Sequence, residues 1–339
     1  MRLLPRRATV LFASAALVLS SCTGDEPEAE ESRAQAEDAG LRVDVASFDL
    51  HAGEDQRLLL GVATMDQGLL AFGDIEVAIG PVGDDPENVE LTQQVTASFL
   101  PVPGAAPEGD SARPTVLVGE PGRGVYEARV DLNETGFWAV EVTAELADGT
   151  VRTGTTSFPR QQPDGIGEDP EVPAVGDEAP LTRNLTVDDV DGEEVRASMV
   201  DSRAGDGDEV PDAHIHDSTI ADGIEEGRPV VALFATPVFC VSQFCGPITE
   251  TFADLAQEYG DRAEFVHVEI WKDHEAQQLN EAAAEWIQTE HGGNEPWTFL
   301  IDEDGRVAAR WDNVLDIDAL TEELERLPAT THTETGDEG

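Results

Sequence analysis

Lysine is all but missing. Among 339 residues there is one, Lys272, and every other basic residue is arginine. Basic residues number 20 against 71 acidic ones, for a net charge of −51. A field of that sign repels phosphate backbones and anionic headgroups, which excludes nucleic acid as a partner. It fits a solvated surface facing a salty or alkaline exterior, where salt screens self-repulsion. Long apolar runs are scarce too: the clearest, Ala8 to Leu19, is too short to span a bilayer comfortably. Cysteine is rare, with three in the chain. What remains is ample apolar material, 40% of the residues, in a chain of a length that suits two domains and tails.

The apolar run follows Arg2, Arg6 and Arg7 and ends in Leu19-Ser20-Ser21-Cys22. A basic start, an apolar core and small residues form a signal-peptide pattern. The last four residues resemble the bacterial lipobox. That resemblance implies removal of residues 1–21, lipidation of Cys22, and an extracytoplasmic protein held on the cell membrane by its lipid. Residues 22–40 are acidic and lack aromatics, so they are expected to form a flexible tether, and 329–339 an acidic tail of the same kind.

With Cys22 acylated, Cys240 and Cys245 remain, five positions apart. Outside the cytosol such a pair is expected to oxidise. Closing so small a loop constrains the unfolded chain little, which turns the reading from structure toward chemistry.

Residues 41–158 are rich in alternating segments. In Gly124–Leu132, Tyr126, Ala128, Val130 and Leu132 share one face, and Glu127, Arg129 and Asp131 the other. In Gly136–Leu146, Trp138, Val140, Val142 and Ala144 align, with Asn133-Glu134-Thr135-Gly136 as the turn between. Period two with no helical interruption predicts an antiparallel sandwich of seven or eight strands. The Gly-Val-Tyr and Gly-Phe-Trp segments resemble immunoglobulin-like domains of exported bacterial proteins, which implies a spacer or docking module. Residues 159–174, with four prolines, read as a linker.

Residues 175–328 read as β-loop-α-β-α-β-β-α. Val230–Ala235 is a continuous apolar run, as in a strand buried on both faces. Pro247 opens a helical pattern with Ile248, Phe252, Leu255, Ala256 and Tyr259 on one face, ended by Gly260. A strand at Ala263–Ile270, a helix over about 275–288, strands at Trp297–Ile301 and Arg306–Trp311, and a helix over about 316–327 capped by Asp316 complete the order. This order, with Val175-Gly176-Asp177-Glu178-Ala179-Pro180 before it and Glu295-Pro296-Trp297-Thr298-Phe299 within it, resembles thioredoxin-like oxidoreductases and peroxiredoxins. The expected fold class is therefore an all-β immunoglobulin-like sandwich followed by an α/β thioredoxin fold.

The resemblance implies a membrane-anchored thiol-disulfide oxidoreductase acting on protein thiols or disulfides, with no cofactor. Matching Cys245-Gly246-Pro247 to the family's Cys-Gly-Pro makes Cys245 the attacking cysteine; Cys240 resolves, and Pro296 is the family's cis-proline. Ile248 stands where the family keeps its second cysteine. A helix N-terminus at Cys245 would stabilise a thiolate. Two other readings stay open: a docking lipoprotein with a structural disulfide, and a copper-handling protein of the Sco type. His214 and His216, spaced to share a strand face, and His291, five residues before Pro296, are the candidate metal ligands, though the Sco spacing and histidine motif are not kept; His267 alternates within a strand and reads as a core or surface histidine. Thr236 precedes Cys240 by four, which breaks the peroxiredoxin T-x-x-C spacing. Asp189-Val190-Asp191-Gly192 matches part of a calcium loop and reads as a turn.

Overall fold

The computed structural model describes residues 40–328, apart from 67, 84, 87, 119–121, 160–163, 192, 206–208 and 288–293. The expected signal peptide, Cys22, the tether up to residue 39, His291 and the tail lie outside the described residues. No helix among the described residues is long and apolar enough to cross a membrane. The chain divides into two compact units. One holds the chain up to Pro101 with Ala106–Asp169; the other holds Val102–Ala105 with Pro170 onward.

The first unit contains β1 (Leu41–Val45), β2 (Gly53–Thr64), β3 (Leu69–Ala71), β4 (Asp74–Pro81), β5 (Gln93–Pro101), β6 (Thr115–Leu117), β7 (Gly124–Leu132), β8 (Trp138–Glu145) and β9 (Val151–Phe158). The alternation in β7 and β8 does what its period requires. Tyr126, Ala128, Val130 and Leu132 are buried with Trp138, Val140, Val142 and Ala144 in one core. Polar tips find partners at its margin: Tyr126 Oη donates to the Phe72 carbonyl at 2.9 Å, and Trp138 Nε1 to the Glu134 carbonyl at 3.1 Å.

The expectation of a two-sheet sandwich is corrected here. All nine strands belong to one sheet, ordered β6-β3-β2-β7-β5-β4-β8-β9, with β1 added to β2. A parallel bridge between Gly40 and Thr153 joins the chain at the start of β1 to β9. Seven strands thus form a ring of pairings around the core. Gly154 makes the approach possible, since a Cβ there would overlap the Leu41 carbonyl.

The second unit contains α1 (Ile220–Glu225), β10 (Val230–Ala235), α2 (Cys245–Tyr259), β11 (Glu264–Glu269), β12 (Trp271–Asp273), β13 (Gln278–Leu279), α3 (Glu281–Ala284), β14 (Trp297–Ile301), β15 (Val307–Asp312) and α4 (Ile317–Arg326). Its main sheet runs β11-β10-β14-β15. Every residue of β10 is buried, as its unbroken apolar run predicts. Helix α2 buries Ile248, Phe252, Leu255 and Ala256. In α4 the Asp316 carboxylate caps the Ala319 N–H at 3.0 Å.

The α/β thioredoxin fold is also corrected. The described residues are mostly β, 36% strand against 16% helix, with large antiparallel sheets. Within the second sheet one pair, β10–β11, is parallel, and the others are antiparallel. The predicted long helix over 275–288 is replaced by the β12–β13 hairpin and the four residues of α3. Two local features break it. Gln277 takes a left-handed φ of 55°, and the Asn280 side chain accepts the Ala282 N–H at 3.2 Å, which starts a new helix. The Asp191 carboxylate, read as part of a turn, accepts the N–H groups of Glu193, Glu194 and Val195 at 2.8–3.0 Å.

Candidate functional site at the cysteine loop

The chain leaves β10 at Ala235 and folds into a tight loop before α2. The Cys240 N–H donates to the Thr236 carbonyl at 3.1 Å, and the Gln243 N–H to the Cys240 carbonyl at 3.3 Å. Gln243 sits at φ 62°, turning the chain back so that Phe244 takes the position before α2. Cys240 and Cys245 form a disulfide with their Cα atoms 6.0 Å apart. Cys245 is the first residue of α2, where unpaired helix N–H groups and the dipole favour negative charge on sulfur.

The two cysteines are not equally open. Cys245 has no exposure, while Cys240 retains 9%. Cys240 Sγ also lies 3.1 Å from the Ser242 hydroxyl, which can donate to it when the sulfur is a thiolate. The sequence reading puts first attack on Cys245, the more deeply buried of the two residues. Around this margin the loop exposes apolar side chains: Val238 at 55%, Phe239 at 40% and Val241 at 93%. Phe239 stacks on His274, ring centroids 4.1 Å apart.

Two carboxyl groups sit at the end of the sheet from which the loop departs. Glu269 ends β11 and stands in register with Ala235. Glu295 precedes Pro296 and Trp297, and Trp297 pairs with Phe234. The Glu295–Pro296 peptide is cis, as the resemblance implied for Pro296. The Pro296 carbonyl accepts the Asn313 N–H at 2.8 Å. Burial pushes Glu269 up to about 7, although the Ser202 and Trp271 N–H groups, at 2.8 and 3.2 Å, favour its ionised form. Burial and then the Glu269 charge push Glu295 up to about 7. A link joins Glu269 to the loop: Ser202 gives its N–H to Glu269 and accepts the Val238 N–H on its hydroxyl at 3.2 Å.

The histidines separate into different settings. His214 Nε2 lies 3.0 Å from the Ala253 carbonyl, on a side chain otherwise turned outward, and shares no strand face with His216. His216 and His267 are both fully buried and meet, with His216 Nε2 and His267 Nδ1 2.8 Å apart beside Asp201. Among the described residues, the one cluster able to hold a metal is Asp201, His216 and His267, and it contains no cysteine. Sequence reading passed over Asp201, Glu269 and Glu295. The signal for Glu269 was present: an acid in an otherwise apolar strand segment, two residues after a histidine, is a polar group headed for burial.

No family model matches the chain, and no curated protein matches it.

Proposed function

We propose that the chain exchanges thiols and disulfides through the Cys240–Cys245 pair, on an extracytoplasmic protein held at the membrane by a lipid on Cys22. The observation that carries the reading is the asymmetric disulfide. One cysteine retains 9% of its surface beside a hydroxyl donor, and the other is fully buried at the start of a 15-residue helix.

That arrangement divides the chemistry. A substrate thiolate attacks Cys240 Sγ; the S–S bond breaks and its electron pair stays on Cys245 Sγ, stabilised by the helix N-terminus. A low leaving-group pKa speeds this step. A second substrate thiol, deprotonated, attacks the substrate sulfur of the mixed disulfide and expels Cys240 as a thiolate. The substrate leaves oxidised by two electrons and the cysteine pair reduced by two. The reverse sequence reduces a substrate disulfide, beginning with attack by Cys240. The exposed Val238, Phe239 and Val241 suit the apolar side chains of an extended polypeptide flanking a cysteine.

The test is the reduction potential of the pair in the full-length chain. The chain is equilibrated across dithiol redox buffers, alkylated, and mapped by peptide so that Cys22 is counted apart. A potential between about −120 and −270 mV is the span of exchange proteins. A value below about −300 mV is that of a structural bridge; it would overturn the proposal in favour of a docking module with a bridged loop. In the exchange case, the Cys245→Ser chain traps a mixed disulfide on Cys240, and the Cys240→Ser chain traps far less.

A further inference from the structure

The buried cluster of Asp201, His216 and His267 has no part in the exchange chemistry. Its three side chains come from different places. Asp201 follows the 3-10 turn Ala197–Met199, His216 follows the turn Ala213–Ile215, and His267 lies in β11. All three are fully buried. Between Thr182 and Thr219 the described residues carry three such short turns and no longer helix or strand, so the cluster is where this irregular stretch is fastened to the sheet.

The outer nitrogen of each ring identifies what the inner one carries. His267 Nε2 lies 3.2 Å from the Ala235 carbonyl, and His216 Nδ1 lies 3.2 Å from the Asp212 carbonyl. A carbonyl only accepts, so both outer nitrogens bear hydrogen. In neutral rings the inner nitrogens are then bare lone pairs. They face each other at 2.8 Å, with a carboxylate oxygen 3.5 Å from one and 3.9 Å from the other. Three lone pairs converging in a dry interior repel unless a cation lies among them.

The charges agree. Arg203 Nε and Nη2 donate to Asp201 Oδ2 at 3.1 and 2.6 Å, so this oxygen is held by a guanidinium on its outer side. Arg203 also pairs with Asp212 at 2.9 Å, so two carboxylates share one guanidinium.

The size agrees as well. A triangle with sides of 2.8, 3.5 and 3.9 Å has a centre equidistant from its corners. That centre lies about 2.0 Å from each donor atom, the length of a zinc–imidazole or zinc–carboxylate bond, and a tetrahedral ion would sit off this plane with the two nitrogens spread apart. The backbone carbonyls on the outer nitrogens are the orienting partners that metal-bound histidines commonly have.

We propose that Asp201 Oδ2, His216 Nε2 and His267 Nδ1 bind a first-row divalent cation of the zinc class. The donor set of two imidazoles and a carboxylate suits zinc, copper(II) or cobalt(II) over magnesium or calcium. With all three residues buried, the ion is a structural one, acquired as the chain folds.

The test uses the full chain with free thiols alkylated and the Cys240–Cys245 disulfide intact, so that no thiolate competes. The chain is unfolded in chelator, refolded with Zn²⁺ or with Co²⁺, and freed of loose ions by gel filtration. The expected result is one equivalent bound per chain and a higher Tm than the metal-free refold. The cobalt form should show two strongly shifted exchangeable imidazole N–H resonances, from the outer nitrogens. His267→Ala and His216→Ala should lose the bound equivalent, while His214→Ala keeps it. If those variants fail to fold, the cobalt resonances of the unsubstituted chain decide the matter. A natively refolded chain that takes up no zinc or cobalt overturns the proposal. So does uptake with no shifted imidazole resonances, which would place the ion on surface acids. A one-bond ¹⁵N–¹H coupling at His216 Nε2 or His267 Nδ1 in the protein as purified would also overturn it, because a proton then fills the gap.

Discussion

Replacing Glu295 with glutamine should stabilise the protein, and only above mildly acidic pH. The reasoning begins with where the carboxyl's proton is held. In the folded chain Glu295 is pushed from 4.5 up to about 7, by burial first and by Glu269 second. Below pH 4.5 folded and unfolded chains both carry the proton, and ionisation costs nothing. Between 4.5 and 7 the folded state keeps a proton that the unfolded state has released, so stability falls as pH rises. Above 7 the penalty is complete. A shift of that size corresponds to about 3 kcal/mol for a fully enclosed group. Glu295 is part-buried, so solvent screening lowers this to about 1–2 kcal/mol. Glutamine has nearly the same shape and does not ionise. The gap between Glu295→Gln and the parent should therefore be near zero at pH 4.5 and reach about 1–2 kcal/mol at pH 8. Urea unfolding across that range, followed by tryptophan fluorescence, measures it: Trp271, Trp286, Trp297 and Trp311 all lie in the second unit. A gap that does not change with pH, or a variant less stable at pH 8, would refute the argument.

Two further predictions concern how each unit is held. Trp286 Nε1 donates to the Thr182 hydroxyl at 2.8 Å while its ring stacks on Phe234; Trp286→Phe keeps most of the ring but leaves a buried acceptor short, at a cost of about 1–3 kcal/mol in urea unfolding. A change below about 0.5 kcal/mol would show that the hydroxyl finds another donor. In the first unit Gly154→Ala should wedge β9 away from β1 through overlap with the Leu41 carbonyl, costing about 1–3 kcal/mol. Hydrogen exchange at Leu41–Val45 should quicken in that variant, and unchanged exchange there would mean that the ring does not depend on this approach.

Much of this molecule could be read from local pattern, and the failures have a common cause. Strands β7, β8, β10 and β14 declare themselves because their periodicity or unbroken apolarity records which faces are buried, and burial is a property of each residue. Helix α2 and the Asp316 cap are legible for the same reason. The closing of the first sheet into a ring is not, because it depends on a single glycine in β9 meeting a backbone from over a hundred residues earlier. The missing helix after β11 was misread because Leu279, Ala283 and Trp286 fall at helical spacing by sequence alone. The left-handed Gln277 and the capping Asn280 decide otherwise, and Trp286 reaches the core from outside any long helix.

The candidate sites divide in the same way. Cys240 and Cys245 are five residues apart, so one loop contains the whole arrangement, and its chemistry can be anticipated from composition and spacing. Asp201, His216 and His267 are joined only by tertiary structure, across 66 residues of chain from first to last. Yet one trace of them is local. Within Glu264–Glu269 the apolar residues Phe265, Val266 and Val268 flank His267 on both faces, and the strand ends in Glu269. A strand buried on both faces cannot carry a histidine and an acid without partners, because each would forfeit hydration with no compensation. Those two residues already required, before any fold was known, that other polar groups be brought to them. The segment best placed to supply them is one too poor in helix and strand to bury itself. Ser202 and Asp201 come from that segment, and they meet Glu269 and the paired imidazoles respectively. The polar interior of β11 and the irregular chain that covers it are thus complementary: the strand presents groups that need partners, and the covering chain is held in place by providing them.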